Sequence, residues 1–142
     1  SKIPANIDFK SEDMKILDKF KDNLELIRKK IDELDLNFYI NFIVNTLFET
    51  NKYFNDQEPW KKKEDIKRLN TIVYTTLEIV RKISFMLYPI IPQSSLNVLK
   101  IFSIKESEID YSSIDNHKFL ISGNMIHKID ILFKKIEKKN YD

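Results

Sequence analysis

Gly123 is the only glycine in a chain of 142 residues. Two-residue hairpin loops need backbone with positive φ, which glycine adopts without strain. A chain with one glycine is poorly supplied for the many tight turns of a sandwich, barrel or meander. The four prolines do not make up the deficit, because proline locks φ near −65°. Long helices joined by a few short connections remain, and short connections favour antiparallel neighbours. The composition, 42% hydrophobic and 32% charged, is that of a globular chain and supplies one core. The expected fold is therefore all-α: an antiparallel helical bundle, one domain over residues 1–142, with an irregular C-terminal segment.

The apolar residues carry a helical period. After an extended lead-in with Pro4, Ser11 is suited to cap a first helix, with Glu12 and Asp13 at the positive end of its dipole. Met14, Leu17, Phe20, Leu24, Ile27, Ile31 and Leu34 then recur every three or four residues. Asp35 caps a second helix with a wider apolar set: Leu36, Tyr39, Ile40, Ile43, Val44, Leu47, Phe48 and Phe54. Pro59 disfavours helical geometry at Glu58. A third helix starts near Glu64 or Asp65. Its apolar face, from Ile66 to Leu87, is broad enough for a central position. Pro92 suits the first turn of a fourth helix using Leu96, Leu99 and Phe102. The expected spans are about 11–34, 35–56, 64–88 and 92–102. From Ser103 the period fails, so 103–142 reads as an irregular tail, with two short extended pieces around Gly123 covering the bundle.

Much chemistry is excluded. Cysteine is absent, which removes disulfides, thiol nucleophiles and thiolate metal sites. His117 and His127 stand alone, without metal-ligand spacing, and read as surface or tail polar residues. No phosphate loop, nucleophile elbow or triad pattern occurs. No residue is assigned a catalytic role and none a metal. The longest uncharged run, from Ile83 up to Lys100, is broken by Pro89 and Pro92 and is too polar for a membrane span. No membrane partner is expected, and the start lacks the apolar core of a signal peptide.

Binding is better supported. The single tryptophan, Trp60, lies outside any apolar run, behind Pro59 and ahead of Lys61, Lys62 and Lys63. Around it Asn51, Tyr53, Asn55, Asp56 and Gln57 offer hydrogen-bonding groups, and Lys67 and Arg68 add cations. Single-stranded nucleic acid needs this combination: an aromatic face for an unstacked base, polar groups for base edges, cations for phosphates. One stacked base is worth roughly 1–3 kcal/mol. The alternative is a tryptophan that lids the end of the core, in a lysine-rich chain whose net charge is only +2.

"ETNKYFNDQEPWKKK" resembles the N-x-Y-x-x-x-x-x-P-W signature in the anticodon-binding domain of methionyl-tRNA synthetases. Asn51, Tyr53, Pro59 and Trp60 fall on it, and Asp56 fits an acidic position between them. "RLNTIVYTTLEIVRKISFMLYPIIPQSS" is similar to the long helix that follows in that family, ending in a P-x-x-P turn at Pro89–Pro92. "LISGNMIHKIDILFKKIE" is similar to its closing segment, with Leu132 to Glu137 in place of "LFPRIE". The resemblance covers about Asp13 to Glu137. Related class I synthetases for valine, isoleucine and leucine share a weaker version. A helical protein-interaction module without RNA binding is the reading from a different class.

The resemblance implies a domain of a methionine–tRNA ligase that reads the CAU anticodon loop of methionine tRNA. Trp60 would stack on an anticodon base. Asn51 and Asp56 would read base edges or hold the geometry, Pro59 would fix the approach to Trp60, and Tyr53 would belong to the same element. Lys61, Lys63, Lys67 and Arg68 are weaker candidates for phosphate contacts. The parent ligase would use ATP and magnesium in a catalytic domain whose motifs this sequence lacks, so this chain alone is expected to be inactive. That catalytic domain is the second expected partner, and the location is cytoplasmic. The family also places anticodon-reading residues on a preceding helix, which would cover apolar surface on the second and third helices.

Overall fold

The computed structural model describes residues 1–127. Four helices dominate: α1 (Ser11–Asp32), α2 (Leu36–Gln57), α3 (Ile66–Leu87) and α4 (Pro92–Ile101). Among the described residues the only β pairing is an isolated antiparallel bridge between Lys2 and Met125. The fold is all-α. The first three helices pack on one another, α4 packs on α3, and the 3-10 segment Tyr111–Asp115 lies against α1 and α3. The closing motif Leu132–Glu137 lies outside the described residues.

Local chemistry sets the helix ends. The α1 N-cap is Lys10, not Ser11. Asp13 reaches back to accept the Lys10 amide at 2.8 Å, while its own amide donates to the Lys10 carbonyl at 3.1 Å. Asp35 accepts the Phe38 amide at 3.1 Å, and Asp65 accepts the Arg68 amide at 3.1 Å. Pro92 occupies the first turn of α4. Three helix ends turn through left-handed backbone without glycine: Leu34 after α1 (φ 56), Glu58 after α2 (φ 47) and Ser103 after α4 (φ 58). Gly123 is also left-handed, at φ 90.

Leu17, Phe20 and Ile27 from α1, Tyr39, Phe42 and Ile43 from α2, and Ile72, Ile79 and Met86 from α3 form the centre of the core. Phe20 and Phe42 meet edge to face, centroids 6.1 Å apart. The wide apolar set expected on α2 divides in two. Tyr39 and Ile43 join Phe42, Thr46, Thr50 and Tyr53 inside, whereas Leu36, Ile40, Val44, Leu47 and Phe48 are exposed. This outer stripe recurs at i+4 and i+3, one continuous side of the helix. α3 shows no matching stripe: Ile66 is its only large exposed apolar residue.

α3 is central, and from Ile79 to Met86 every residue except Val80 is buried. Glu78, just before this run, is buried too and forms an i,i+3 pair with Arg81 inside the helix, whereas Lys82 has no partner on its own helix. The tail supplies the remaining partners. Arg81 pairs with Glu78 at 2.6 Å and donates to the carbonyls of Ser113 (2.9 Å) and Asn116 (2.6 Å). Lys82 donates to the Ile114 carbonyl and, at 3.0 Å, to that of Asn116. Glu78 accepts the Leu120 amide at 2.6 Å. His117 is no lone surface residue: it bridges Asp18 (2.8 Å) and Lys82 (3.1 Å). Beyond it the chain runs beside the lead-in, where Ile3 donates to Asn124 and accepts from Gly123, both at 2.8 Å. Around Gly123 the described residues hold a turn and the single bridge to Lys2, not two extended pieces.

Candidate nucleic-acid interface

Between α2 and α3 the chain makes a short turn, and Trp60 sits at its middle, in the 3-10 segment Pro59–Lys61. Glu58 leaves α2 in left-handed backbone, donating to the Asn55 carbonyl at 3.2 Å. Proline has a fixed φ and no N–H, so Pro59 starts the next turn without losing a bond. Lys61 donates to the Glu58 carbonyl at 2.9 Å and Lys62 to that of Pro59 at 3.1 Å, closing the turn. The Lys62 ammonium bonds the Gln57 carbonyl. Pro59 is buried and the turn packs on α3, while Trp60 is 51% exposed. One side of the indole leans on Phe54, centroids 6.4 Å apart at 57°. A half-exposed ring backed by another aromatic is a fixed apolar plane facing solvent.

Beneath the turn lies a buried ion pair. Arg68, the third residue of α3, meets Asp13 of α1 through two N–H···O bonds of 2.5 and 2.9 Å. The same guanidinium donates to the Asp8 carbonyl at 3.0 Å and to Gln57 Oε1 at 2.8 Å. Tyr53 donates its hydroxyl to Asp13. The carboxylate thereby accepts from Lys10, Tyr53 and twice from Arg68, which fills its lone pairs. Burial alone would raise the Asp13 pKa; the Arg68 and Tyr53 hydrogen bonds, the Lys10 amide and the Arg68 charge outweigh it and hold it below the usual carboxylate range. Burial, then the Asp13 carboxylate, push the Tyr53 hydroxyl up, so it stays a donor.

This geometry changes two of the expected roles. Arg68 is 2% exposed and its guanidinium is committed to Asp13, so it is an internal tie and not a phosphate contact. Four of its five N–H donors are taken by Asp13, Asp8 and Gln57, and burial keeps solvent and phosphate from the group. Tyr53 is 7% exposed and offers its hydroxyl inward, so its place in the element is structural.

Asn51 and Asp56 are both exposed. At 3.6 residues per turn they lie ~140° apart around α2. Asn51 is ~60° from Phe54, on the side where Trp60 leans, while Asp56 is ~160° from it. Asp56 instead borders a groove of about 680 Å³ between α1 and α2, with Lys15, Lys19, Glu49 and Lys52. Lys61 pairs with Glu58 at 3.0 Å; Lys63 and Lys67 are exposed beside the turn. Among the described residues no group of three acidic or histidine side chains is placed to hold a metal ion, and no helix is long and apolar enough to cross a membrane.

The family described as the anticodon binding domain of methionyl tRNA ligase matches residues 3–142 of the sequence. The chain belongs to this family. The methionine–tRNA ligase of Brucella suis is 33% identical over 114 residues, covering 80% of this chain and 22% of that protein. That of Methanocaldococcus jannaschii is 32% identical over 133 residues, covering 94% of this chain and 19% of that protein. The chain thus spans about a fifth of the length of these relatives, at 22% and 19%. In fold it is similar to the apo methionyl-tRNA synthetase of Mycobacterium tuberculosis, with TM-score 0.84, 22% identity, and coverage of 97% of this chain and 28% of that one.

For an anticodon-binding domain, the missed residues are Asp13, Gln57 and Arg68 as a unit. Asp13 reads as a first-turn helix acid, Gln57 as one polar residue among several, Arg68 as one of many cations. No local pattern joins positions 13, 57 and 68. A weak signal was available: Asp13 and Arg68 each fall near a helix start, and two such starts can meet at one end of a bundle.

Proposed function

We propose that this domain recognises the CAU anticodon loop of methionine tRNA within a methionine–tRNA ligase. The observation that carries the proposal is Trp60: a half-exposed indole on a proline-fixed turn, backed by Phe54. A splayed anticodon base stacks on its free side and gains roughly 1–3 kcal/mol. Asn51, on the same side of α2, supplies an amide that both donates and accepts, which suits a base edge. Pro59 fixes the backbone that presents the ring. Lys63, Lys67 and, once it leaves Glu58, Lys61 follow the loop phosphates. Asp56, on the α1 side, can meet only a nucleotide that crosses the end of α2. Methionine attachment, with ATP and magnesium, belongs to the catalytic domain of the ligase, which is the domain's second partner; the setting is cytoplasmic.

Trp60 is the only tryptophan in the chain, so its emission reports this site alone. Titration with a CAU stem-loop is expected to quench it, while a scrambled anticodon does not. The same pair of stem-loops, labelled and followed by anisotropy with the full ligase, completes the test. Equal binding of both by the full ligase overturns the anticodon assignment.

A further inference from the structure

We propose that Gln57 is the positioning residue for Trp60, tying the turn that presents the indole to the buried Asp13–Arg68 pair. The inference rests on the anticodon reading above and adds a residue to it. Gln57 falls on an unspecified position of the N-x-Y-x-x-x-x-x-P-W signature, three residues ahead of the ring.

Gln57 is the last residue of α2, and both of its polar ends are used across elements. Its side-chain oxygen accepts from Arg68 Nη2 at 2.8 Å, the same nitrogen that holds Asp13 Oδ1 at 2.9 Å. Its backbone carbonyl accepts the Lys62 ammonium from the far side of the turn. The loop 58–62 is otherwise closed on itself, through Lys61 on Glu58 and Lys62 on Pro59. A self-closed loop keeps its shape but can pivot about its two ends. Gln57 fixes one end to α3, and through Arg68 and Asp13 to α1. Pro59 and the Phe54 contact add packing, which resists separation better than rotation. A hydrogen bond to a charged guanidinium is directional and about twice as strong as a neutral one, so it suits an orienting role.

A stacking platform must be oriented before the base arrives; a ring that swings loses affinity to ordering. The prediction concerns the native state as well as binding. Gln57→Met keeps the side chain's length and removes its oxygen. Gln57→Glu keeps an oxygen at the same place. In the 142-residue chain, Gln57→Met is expected to raise acrylamide quenching of Trp60 about twofold and lower its steady-state anisotropy, with the far-UV spectrum unchanged. It is expected to weaken CAU stem-loop binding by the full ligase about tenfold. Gln57→Glu is expected to restore all three. A merely structural glutamine would lower the unfolding midpoint in Gln57→Met and leave native-state quenching and anisotropy where they were. That result overturns the positioning role, as does a ligase in which wild type and Gln57→Met bind CAU equally. A wild-type ligase that fails to distinguish CAU from the scrambled loop removes the anticodon reading itself, and this role with it.

Discussion

Arg68 and Asp13 stand 55 residues apart in sequence and meet through bonds of 2.5 and 2.9 Å, with the arginine 2% and the aspartate 0% exposed. The pair joins α1 to α3 at the end of the bundle that carries Trp60. Removing one partner leaves the other charged, buried and unpaired, which costs about 3–5 kcal/mol. Asp13→Ala and Arg68→Ala are each expected to lose that much in urea unfolding followed by circular dichroism. Arg68→Lys is expected to recover only part, since an ammonium cannot make the two parallel bonds. A loss below about 1 kcal/mol would mean that the pair is replaceable by water.

The same pair sets an acid limit. Asp13 has its pKa held below the unfolded value of 3.8. Its contribution is therefore present above pH 3.8 and is lost as pH falls through the folded pKa. Asp13→Asn is expected to flatten the acid limb of the stability curve below pH 4 relative to wild type.

Lys82 acts in the opposite part of the pH range. Burial, aided by the Arg81 charge and opposed by Glu78, Asp115 and Asp18, pushes its ammonium down to about 7 from 10.5. Between those values the unfolded chain binds the proton more tightly, so stability rises with pH. The urea midpoint is expected to climb from pH 7 to pH 9.5 in wild type and to climb less in Lys82→Met. An unchanged slope in the variant would assign the rise to other groups.

Trp60→Ala is expected to lower unfolding stability by only about 1–2 kcal/mol, because half the ring is already in water. It is expected to reduce CAU stem-loop affinity by about 5- to 150-fold, the equivalent of one lost base stack. Trp60→Phe keeps a smaller plane and is expected to fall between the two.

Leu34 closes α1 in left-handed backbone (φ 56) with its side chain 81% exposed, so it has strain and little burial to offset it. A left-handed conformation disfavours a side chain by about 1–2 kcal/mol per residue. Leu34→Gly is expected to stabilise the chain by about 0.5–1 kcal/mol, after the larger entropy loss of glycine is subtracted. A lower urea midpoint in that variant would show that the leucine is held by contacts outweighing the strain.

Helix spans were legible in the sequence to within a few residues, because caps, prolines and the 3.6-residue period act over one or two turns. The place of Trp60 was legible for the same reason: Asp35 and Asp65 start the helices on either side, and Pro59 forbids their fusion. The resemblance supplied the role proposed for the ring. Which side of α2 faces inward was not legible. Leu36, Ile40, Val44, Leu47 and Phe48 are as apolar as Ile43 and Phe42, and only the placement of α1 and α3 separates them.

The scarcity of glycine, together with the 3.6-residue apolar period, pointed to a helical chain, since few tight turns are supplied for a sheet. It did not determine how the helices end, and three of them close on Leu34, Glu58 and Ser103 without it. Tertiary structure alone decided that Arg68 faces Asp13 and not solvent, that Gln57 reaches Arg68, and that the tail covers Glu78, Arg81 and Lys82. Each is a contact between different elements of the chain, from 11 to 55 residues apart. A charge declares its partner only when the backbone has brought the two together and taken water away.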